Sequence, residues 1–404
     1  MSSHYETARE IYAAWGVDTE AVLRRMDEIP ISINCWQLDD LTGLEDFDAK
    51  LTGGIAATGN AAGKPRSVEE YFRSLDKMLS LVPGAKHVAL HAVYPLTDKK
   101  VPRNELGPEH FRGWVDYARE KGIGLDFNPT YFSHPMSDSG WTLASPDPAV
   151  RDFWVEHGVN SRRIGEMFGR ELGTVCVTNH WIPDGSKDLR VDTLGPRERL
   201  IESLDRIFAE PIDRRYNIDS LEGKLFGLGV ESYTAGSHEF YTNYCLTTGK
   251  AIVCMDIGHY HPTESVAQKL SAYFAFGQEI MMHLSRAVRW DSDHVPIVSD
   301  ETVPIMQEIK RCGAFHKVHL GLDFFDASID RVAASVIGAR SMKKALLIAL
   351  LEPTEHLLRA EAAGDYARRL ALLEEFKLLP AGLVFDEYCA RHDMPGADWT
   401  ERRT

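Results

Sequence analysis

The chain has 404 residues, of which 44% are hydrophobic and 26% are charged, and its formal net charge at pH 7 is −15. This composition is ordinary for a globular enzyme and excludes extensive disorder, and the acidic balance argues against a nucleic-acid partner because phosphate binding needs a basic face. The longest purely apolar run, residues 345–351, is far shorter than the roughly 20 residues of a membrane-spanning helix, so we expect no membrane partner.

The N-terminus and the cysteines predict the cellular location. The N-terminal stretch MSSHYETARE is charged and has no signal-peptide core. No two cysteines form a CxxC pair; they are Cys35, Cys176, Cys245, Cys254, Cys312 and Cys389. We therefore expect reduced thiols and a cytoplasmic location.

The first thirty residues are predicted to be helical, because apolar residues recur three and four positions apart through IYAAWGVDTEAVLRRM. Strand and helix patterns then alternate. The strand candidates are ISINCWQ (31–37), HVALHAVYP (87–95), IGLDFNPTYF (123–132), VCVTNHWIP (175–183), NIDSLEGKLFGLG (217–229), AIVCMDIGH (251–259), EIMMHLSR (279–286) and HKVHLGLDFF (316–325). The fifth is the most polar and has the weakest strand pattern.

Some of the intervening segments carry specific signals. LTGGIAATGNAAGK (51–64) has the glycine content of a mobile lid but lacks the GxxxxGK[ST] pattern of a phosphate-binding loop. The spacing of Ser67 and Glu70 is that of a capping box and predicts a helix start there. One or two helices are predicted over 148–172, and another is predicted to begin at Pro262.

Eight strand and helix units in alternation, with hydrophobic strands, favour an α/β protein with a closed parallel (β/α)₈ barrel. An open doubly wound sheet is the alternative. After residue 327 the pattern is helical to the end. We therefore predict an N-terminal helical segment (1–30), a barrel domain (31–340) and a C-terminal helical extension (341–404) that lies at subunit contacts.

A dense group of potential metal ligands lies between residues 254 and 294. Its members stand where an apolar run gives way to a turn, as residues at the C-terminal end of a barrel strand do. Asp291 and Asp293 are two residues apart, so an extended backbone places both carboxylates on one side, where they repel unless a cation or a proton lies between them. The group consists of Asp256, His259, His283, Asp291 and Asp293.

Further ionisable groups end the fifth and eighth strand candidates: Glu222 and Lys224 on the fifth, and Asp323 on the eighth. A single strand-end aspartate is more often a turn former than a ligand. However, groups at the same end of four successive strands converge on one mouth in a closed barrel. Oxygen-rich ligation with few imidazoles favours Mn²⁺, Mg²⁺ or Co²⁺ and admits Zn²⁺, and about seven ligands suit two neighbouring ions.

For several neighbouring residues, the sequence allows more than one role. Asp326 and Asp330 compete with Asp323 for the ligand position on the eighth strand, and the strand-end position favours Asp323. His261 and His294 border the ligands without being required by their number.

Two more histidines have alternative interpretations. His134 either serves the pocket or caps a turn. His180 is expected to face the helices, on the opposite side of the strand from its neighbour Trp181, because adjacent residues of a strand alternate between the two sides.

Six longer motifs carry a specific resemblance. In chain order they are LTGGIAATGN, FNPTYFSHP, WIPDG, GHYHPTE, WDSDHV and HLGLDFFDAS. At these separations they resemble the L-rhamnose isomerase family over nearly the whole chain. The resemblance implies a barrel related to xylose isomerase, a homotetramer, and a divalent-metal-dependent conversion of L-rhamnose to L-rhamnulose, the first step of L-rhamnose catabolism.

The same resemblance implies roles for individual residues, with Mn²⁺ as the preferred ion at two sites. The ligands of one tightly held ion would be Glu222, Asp256, His283 and Asp323. The ligands of a second, catalytic ion would be His259, Asp291 and Asp293. Lys224, Asp291 and His91 would act in catalysis, with Lys224 beside the reacting oxygens of the sugar, and the sugar would be held by His91, Trp181 and Trp36.

An aldose–ketose exchange moves hydrogen between adjacent carbons while their oxygens exchange a proton. Two ions can polarise both oxygens, so we expect a metal-assisted 1,2-hydride shift in which Asp291 orients a water molecule on the catalytic ion. A base-catalysed enediol is the alternative route. The rival functions are an isomerase of another aldose, since one methyl group is worth only about 1–3 kcal/mol in a pocket, and a barrel metallohydrolase or metal-dependent endonuclease.

Overall fold

The structure is a computed structural model that describes residues 3–45, 57–224, 232–288 and 291–402. Within these ranges, eight parallel strands form a closed barrel in which each strand pairs with its neighbours in the chain and the last pairs with the first. The strands are β1 (Ile31–Asn34), β2 (Lys86–His91), β3 (Gly124–Asn128), β4 (Cys176–His180), β5 (Asn217–Glu222), β6 (Ile252–Asp256), β7 (Ile280–Leu284) and β8 (Val318–Leu322). The predicted barrel is confirmed, and the open sheet is excluded.

Helices precede the barrel, alternate with its strands and follow it. They are α1 (Ser3–Ala14), α2 (Thr19–Asp27), α3 (Val68–Leu79), α4 (Arg112–Lys121), α5 (Pro148–Leu172), α6 (Leu194–Phe208), α7 (His238–Thr248), α8 (Ala267–Ala275), α9 (Thr302–Arg311), α10 (Arg331–Leu351), α11 (Thr354–Ala362), α12 (Tyr366–Phe376) and α13 (Ala381–Arg391). A short antiparallel pair, Gly185–Ser186 with Tyr233–Thr234, lies outside the barrel sheet.

The barrel strands are mostly buried on both faces, because helices cover the outside and side chains fill the inside. One apolar cluster consists of strand residues and occupies the interior; its members are Val177, Ile218, Ile252, Cys254 and Met281. Ile252 and Cys254 precede Asp256 by four and two residues on the same face of β6. The apolar layers therefore lie beneath the C-terminal mouth, where the potential ligands emerge.

Element boundaries depart from the sequence pattern mainly after the strands. The backbone of β1 and β6 turns into short 3₁₀ helices, Cys35–Leu38 and Ile257–His259, at positions predicted to remain extended. The predicted helix start at Pro262 is wrong, because α8 begins at Ala267. The interval 148–172 holds the single helix α5. At α3, the Ser67 hydroxyl accepts the N–H of Glu70 as predicted.

The Glu70 carboxylate accepts the N–H of Arg66 rather than that of Ser67, so the reciprocal half of the capping box is shifted by one residue. Residues 51–56 of the glycine-rich segment, 225–229 of the fifth strand candidate, and Arg289 and Trp290 lie outside the described residues.

The C-terminal helices are attached to the barrel by buried cations of α10. Arg340 donates to the carbonyls of Leu81, Pro395 and Gly396, and Lys343 donates to the carbonyls of Ile29 and Ala85. The helix α10 crosses residue 340 without a break. The division into segments 1–30, 31–340 and 341–404 stays a prediction.

The cysteines and the apolar content of the helices relate to the expected redox state and to the expectation of no membrane partner. All six cysteines are free thiols, and only Cys312 is exposed. In the part of the chain that the structure describes, no helix is both long enough and apolar enough to cross a membrane.

Candidate metal centre

Four of the predicted ligand residues meet at the C-terminal mouth of the barrel. Glu222 ends β5, Asp256 ends β6, His283 lies in β7 and Asp323 directly follows β8. One ligand atom from each of the four lies within 4.8 Å of the others. The strand register brings these residues together, because Asp256 pairs with His283 across β6 and β7. The parallel strands also run in one direction, so their C-terminal ends all lie at the same mouth of the barrel.

A second cluster adjoins the first and shares Asp256 with it. It joins Asp256, His259 and Asp291, again with ligand atoms within 4.8 Å of one another. Asp256 accepts the N–H of Gly258 at 2.6 Å and so begins the 3₁₀ turn that carries His259 into the mouth. His259 Nε2 lies 3.1 Å from Asp291 Oδ2.

The backbone of Gly223 orients the His259 ring. His259 Nδ1 lies 3.2 Å from the carbonyl oxygen of Gly223, to which it can donate only as the Nδ1–H tautomer. That tautomer leaves the Nε2 lone pair for a metal ion, as in many protein metal sites. Gly223 also leaves no room for a side chain, because a Cβ there would lie 2.7 Å from His238 Nδ1.

Asp293 lies near these clusters without belonging to either. Among the described residues, it contributes no atom to a group of three or more ligand atoms within 4.8 Å of one another. Its φ of 47° is in the left-handed region, which aspartate tolerates better than most residues. Burial and the carboxylates of Asp291, Asp323 and Asp256 raise the pKa of Asp293 well above its usual range.

The ionisation of the four-residue cluster is strongly perturbed. Burial opposes the charge on Glu222, yet the imidazoles of His283 and His259 hold its pKa down at about 2. Burial raises the pKa of Asp256 to about 7, against the lowering effect of His259. Carboxylates crowded into a buried mouth repel one another and lose contact with water. A cation between them offsets both the repulsion and the cost of burying their charges.

The residues present fit a divalent cation. Within the described residues, His283 Nδ1 is buried without a hydrogen-bond partner, although carboxylate oxygens of Glu222 and Asp323 lie 3.2 and 3.3 Å away. A ring nitrogen that faces carboxylates without a hydrogen bond to them is placed as residues are when they bind one metal ion together. Three carboxylates and one imidazole are a donor set that suits Mn²⁺, Mg²⁺ or Co²⁺.

Neutral groups hold the carboxylates in place. Asn179 donates to Glu222 at 2.6 Å, the Ser285 hydroxyl donates to Asp256 at 3.1 Å, and the indole N–H of Trp36 donates to Asp323 at 3.1 Å. Asn179 and Ser285 were not predicted from the sequence. Both are polar residues on or next to an otherwise apolar strand, which is the signal that could have identified them.

The opposite wall of the mouth is aromatic and cationic. The Lys224 ammonium lies 3.2 Å from Asp291 Oδ2 and 4.3 Å from the Trp181 ring centroid. The Trp181 ring meets Phe132 edge to face, with centroids 5.3 Å apart. Among the described residues, the buried Trp181 Nε1 has no hydrogen-bond partner. An apolar surface with a few directed polar atoms is typical of a small-molecule site.

His91 completes this wall beside Trp36. Its Nδ1 lies 3.1 Å from the Thr130 hydroxyl, and its ring contacts that of Trp36 edge to face, at a centroid distance of 4.5 Å. Burial lowers the pKa of His91 to about 3, and the neighbouring His283 adds to the decrease. His91 is therefore a neutral ring at physiological pH.

Comparison with known proteins decides the family. A family model described as L-rhamnose isomerase matches residues 1–403. The chain belongs to the L-rhamnose isomerase family. The L-rhamnose isomerase of Mannheimia succiniciproducens is 54% identical over 398 residues, which cover 98% of this chain and 95% of that protein. The L-rhamnose isomerase of Salmonella typhimurium is 52% identical over 402 residues, which cover 99% of this chain and 96% of that protein.

Solved structures of lower sequence identity agree on the fold of this L-rhamnose isomerase family enzyme. An L-ribulose 3-epimerase is 12% identical, with a TM-score of 0.50 over 80% of this chain and 95% of that one. A D-allulose 3-epimerase from Methylomonas sp. is 10% identical, with a TM-score of 0.50 over 79% of this chain and 98% of that one. These similarities support the barrel architecture alone.

In this member of the L-rhamnose isomerase family, the competing aspartates have structural partners. Asp326 accepts the N–H and hydroxyl of Ser328 in a turn, and Asp330 accepts the N–H of Ala333 at the start of α10. Asp323 is the residue of the three that joins the ligand cluster.

The histidines with alternative interpretations are also placed. His134 Nδ1 accepts the N–H of Met136, which is the turn-capping alternative. His180 is buried between Tyr131 and Asp219 and packs edge to face on Phe208, the last residue of α6, so it faces the helices as predicted. His261 and His294 bond to residues of their own turns, namely Thr263 and Ser292.

Proposed function

We propose that this enzyme interconverts L-rhamnose and L-rhamnulose with the help of two divalent ions. The observation that carries the proposal is the four-residue ligand cluster at the barrel mouth in a chain of the L-rhamnose isomerase family. Ligands from four different strands would hold an ion rigidly against the aromatic wall, where a sugar can present its hydroxyls.

We assign the first ion to Glu222, Asp256, His283 and Asp323, because their ligand atoms lie together. The second ion is assigned to His259, Asp291 and Asp293. For that ion Asp256 is a bridging candidate, since it belongs to the cluster of His259 and Asp291. Mn²⁺ suits these oxygen-rich sets best, with Co²⁺, Zn²⁺ or Mg²⁺ as the alternatives.

Bound ions would act as Lewis acids on the oxygens of C1 and C2, the two carbons that change oxidation state. The side chains of the protein would orient the sugar and its reacting oxygens. Lys224 is held by Asp291 at 3.2 Å and can donate a hydrogen bond to the reacting carbonyl oxygen. Asp291 accepts from Lys224 and lies 3.1 Å from His259 Nε2, so its carboxylate can orient a water molecule that carries the proton between the two oxygens.

The remaining pocket residues hold the sugar and limit water. The neutral His91 uses Nδ1 on Thr130, so Nε2 is the nitrogen left for a sugar hydroxyl. Trp181 and Phe132 offer an apolar surface to the ring carbons, while Trp36 supports Asp323 and His91 from below. With water restricted, hydrogen passes from C2 to C1 as hydride while a proton moves from the C2 oxygen to the C1 oxygen.

Ketose formation from L-rhamnose tests the proposal. The purified protein is stripped with EDTA and assayed before and after Mn²⁺ is added. We expect L-rhamnulose only with metal. No turnover with any divalent ion would reject the function and favour a barrel metallohydrolase, whereas faster turnover of a different aldose would reassign the substrate.

Isotope labelling tests the hydrogen-transfer step. The reaction is run in deuterium oxide, and the product is examined at C1 by NMR. A hydride shift leaves the migrating position free of deuterium. Incorporation from solvent would instead support the base-catalysed enediol.

We further propose a homo-oligomer, with a tetramer as the specific expectation, located in the cytoplasm. Support for association comes from the α11–α12 region and the segment after it, where large apolar side chains are exposed: Leu358, Tyr366, Leu370 and Leu378. Exposed apolar groups on one region are typical of association surfaces. Light scattering coupled to gel filtration tests the assembly, and a monomeric mass would reject it.

A further inference from the structure

Cys254 occupies a position on β6 that sets it apart from the other cysteines. It pairs in register with Glu222 of β5 and with Met281 of β7. It is fully buried in the interior cluster of the barrel. Because Asp256 follows two residues later on the same face, the Cys254 thiol lies one layer below the Asp256 carboxylate.

This thiol belongs to a ligand cluster of its own. The sulfur of Cys254, a carboxylate oxygen of Glu222 and an imidazole nitrogen of His283 lie within 4.8 Å of one another. All six cysteines lie in the described residues, and of these only Cys254 takes part in such a cluster. The unpartnered Nδ1 of the buried His283 is an independent sign that this ring is arranged for a ligand rather than for a hydrogen bond.

We propose that Glu222, Cys254 and His283 form a third, lower metal site that takes thiophilic divalent ions such as Cd²⁺ and Zn²⁺. It deepens the proposed function and rests on it for the ligands Glu222 and His283. Thiolate and imidazole donors select softer ions, whereas the carboxylates of Asp256 and Asp323 select Mn²⁺ or Mg²⁺. The mouth of the barrel therefore has oxygen ligands in its upper layer and a sulfur ligand in the layer below.

The upper and lower sites exclude each other. Both need Glu222 and His283, so a subunit can hold an ion in only one of them. Binding below converts the Cys254 thiol to a thiolate, forms a metal–sulfur bond and releases one proton to the solvent. A thiophilic ion is then expected to displace the Mn²⁺ held by the upper set and to inactivate the enzyme by moving the ion away from the sugar.

Cadmium absorbance tests the lower site directly. The test uses a Cys312→Ser background, because Cys312 is the exposed thiol and would bind Cd²⁺ itself. Titration of the EDTA-stripped protein with Cd²⁺ should produce an ultraviolet thiolate-to-metal absorbance band that saturates at one equivalent per subunit. Cys254→Ser and Cys254→Ala should abolish this band.

The matched control is Cys245→Ser, a buried cysteine of α7 outside the ligand clusters, which should keep the band. Circular dichroism shows whether each variant is folded. A band that persists without Cys254, or Cd²⁺ binding to the folded background protein without a band, overturns the proposal.

Displacement of Mn²⁺ provides a second measurement, independent of turnover. Electron paramagnetic resonance follows free Mn²⁺ as Cd²⁺ is added to the Mn²⁺-loaded background protein. We expect one Mn²⁺ released for each thiolate-bound Cd²⁺, and a band that grows without release would overturn the proposed exclusion. L-Rhamnulose formation by the Mn²⁺-loaded protein, measured before Cd²⁺ is added, distinguishes the two proposals. Isomerase activity before the addition and no thiolate band after it reject only the lower site, whereas a band that forms in a protein already inactive with Mn²⁺ rejects only the proposed function.

Discussion

The ammonium group of Lys224 lies 3.2 Å from Oδ2 of Asp291 and above the Trp181 ring. This pair places one fixed positive charge next to the proposed catalytic ion. In Lys224→Met we expect kcat to fall by about 10²–10⁴-fold, the range for loss of a positioned proton donor, while bound Mn²⁺ is retained. Lys224→Arg should not restore kcat, because a guanidinium differs from an ammonium in size and geometry.

Steady-state kinetics with L-rhamnose check this prediction. The matched control is Lys269→Met, since Lys269 also lies over an aromatic ring, that of Tyr260, but outside the mouth. It should keep the parental kcat. An unchanged kcat in Lys224→Met would remove Lys224 from the reaction.

Glu222 is the carboxylate that the proposed upper and lower sites share. Glu222→Gln keeps the shape of the side chain and a partner for Asn179, but it removes the negative charge. We expect at least one Mn²⁺ per subunit to be lost, measured by equilibrium dialysis and elemental analysis. Glu264→Gln, a partly exposed carboxylate paired with Lys269, is the control. Full Mn²⁺ occupancy in Glu222→Gln would contradict the assignment.

His238 is expected to support the proposed second metal site by positioning His259. Its Nε2 lies 2.9 Å from the His259 carbonyl oxygen, and its ring stacks on Tyr260 at 4.1 Å with an interplanar angle of 12°. In His238→Ala we expect the Mn²⁺ concentration for half-maximal activity to rise by about 10–100-fold, as for other groups that orient metal ligands. kcat at saturating Mn²⁺ should largely recover.

The control for His238 is His392→Ala. His392 also bonds a backbone carbonyl, that of Tyr388, and contacts an aromatic ring, but it lies in the C-terminal region. Its loss should leave the Mn²⁺ dependence unchanged. A fall in kcat of His238→Ala that Mn²⁺ does not relieve would show that His238 is more than a positioning residue.

Asp39 is expected to make stability depend on pH. Burial raises its pKa to about 7, against the lowering effects of the Tyr94 hydroxyl, the Gly43 N–H and Lys64, and with Asp40 adding to the increase. The folded state therefore binds more protons than the unfolded state between the ordinary aspartate pKa of 3.8 and the raised pKa of about 7. This contribution to the free energy of unfolding is full below that window and is lost as the pH rises through it.

Asp39→Asn removes this charge while keeping a side chain of the same shape. Relative to the parental protein, the variant should become progressively more stable as the pH rises from about 5 to about 8, because only the parental protein must bury a carboxylate charge there. Urea unfolding at both pH values measures the difference. A stability difference that is independent of pH would contradict the raised pKa of Asp39.

Arg340 is expected to support the C-terminal segment. It is buried, donates to three backbone carbonyls and lies 5.2 Å from the Phe385 ring centroid. Arg340→Met should lower the free energy of unfolding by about 3–5 kcal/mol, because those carbonyls lose their donor inside the protein. Urea denaturation checks this, with the exposed Arg368→Met of α12 as the control. Equal stability of the two variants would contradict the anchoring role.

The barrel was predictable because its signal is local. Each strand is an apolar run closed by a turn, and eight such runs alternate with helical patterns, so even the polar fifth strand could be counted. The ends of those runs also indicated the candidate ligands that cluster at the mouth. Local signals fail where the backbone leaves a strand, and this is why the 3₁₀ turn Ile257–His259 and the late start of α8 were missed.

By itself, the sequence determined the barrel class and which side chains reach its mouth. The spacing of hydrophobic residues and the residues that form turns depend only on neighbours in the chain. Only the tertiary structure decided which of them meet. Asp256 joins two clusters, Cys254 lies among the ligands and Asp293 stands apart from them. Those distances depend on strand register and on loop paths between residues far apart in the chain, and no local pattern encodes either.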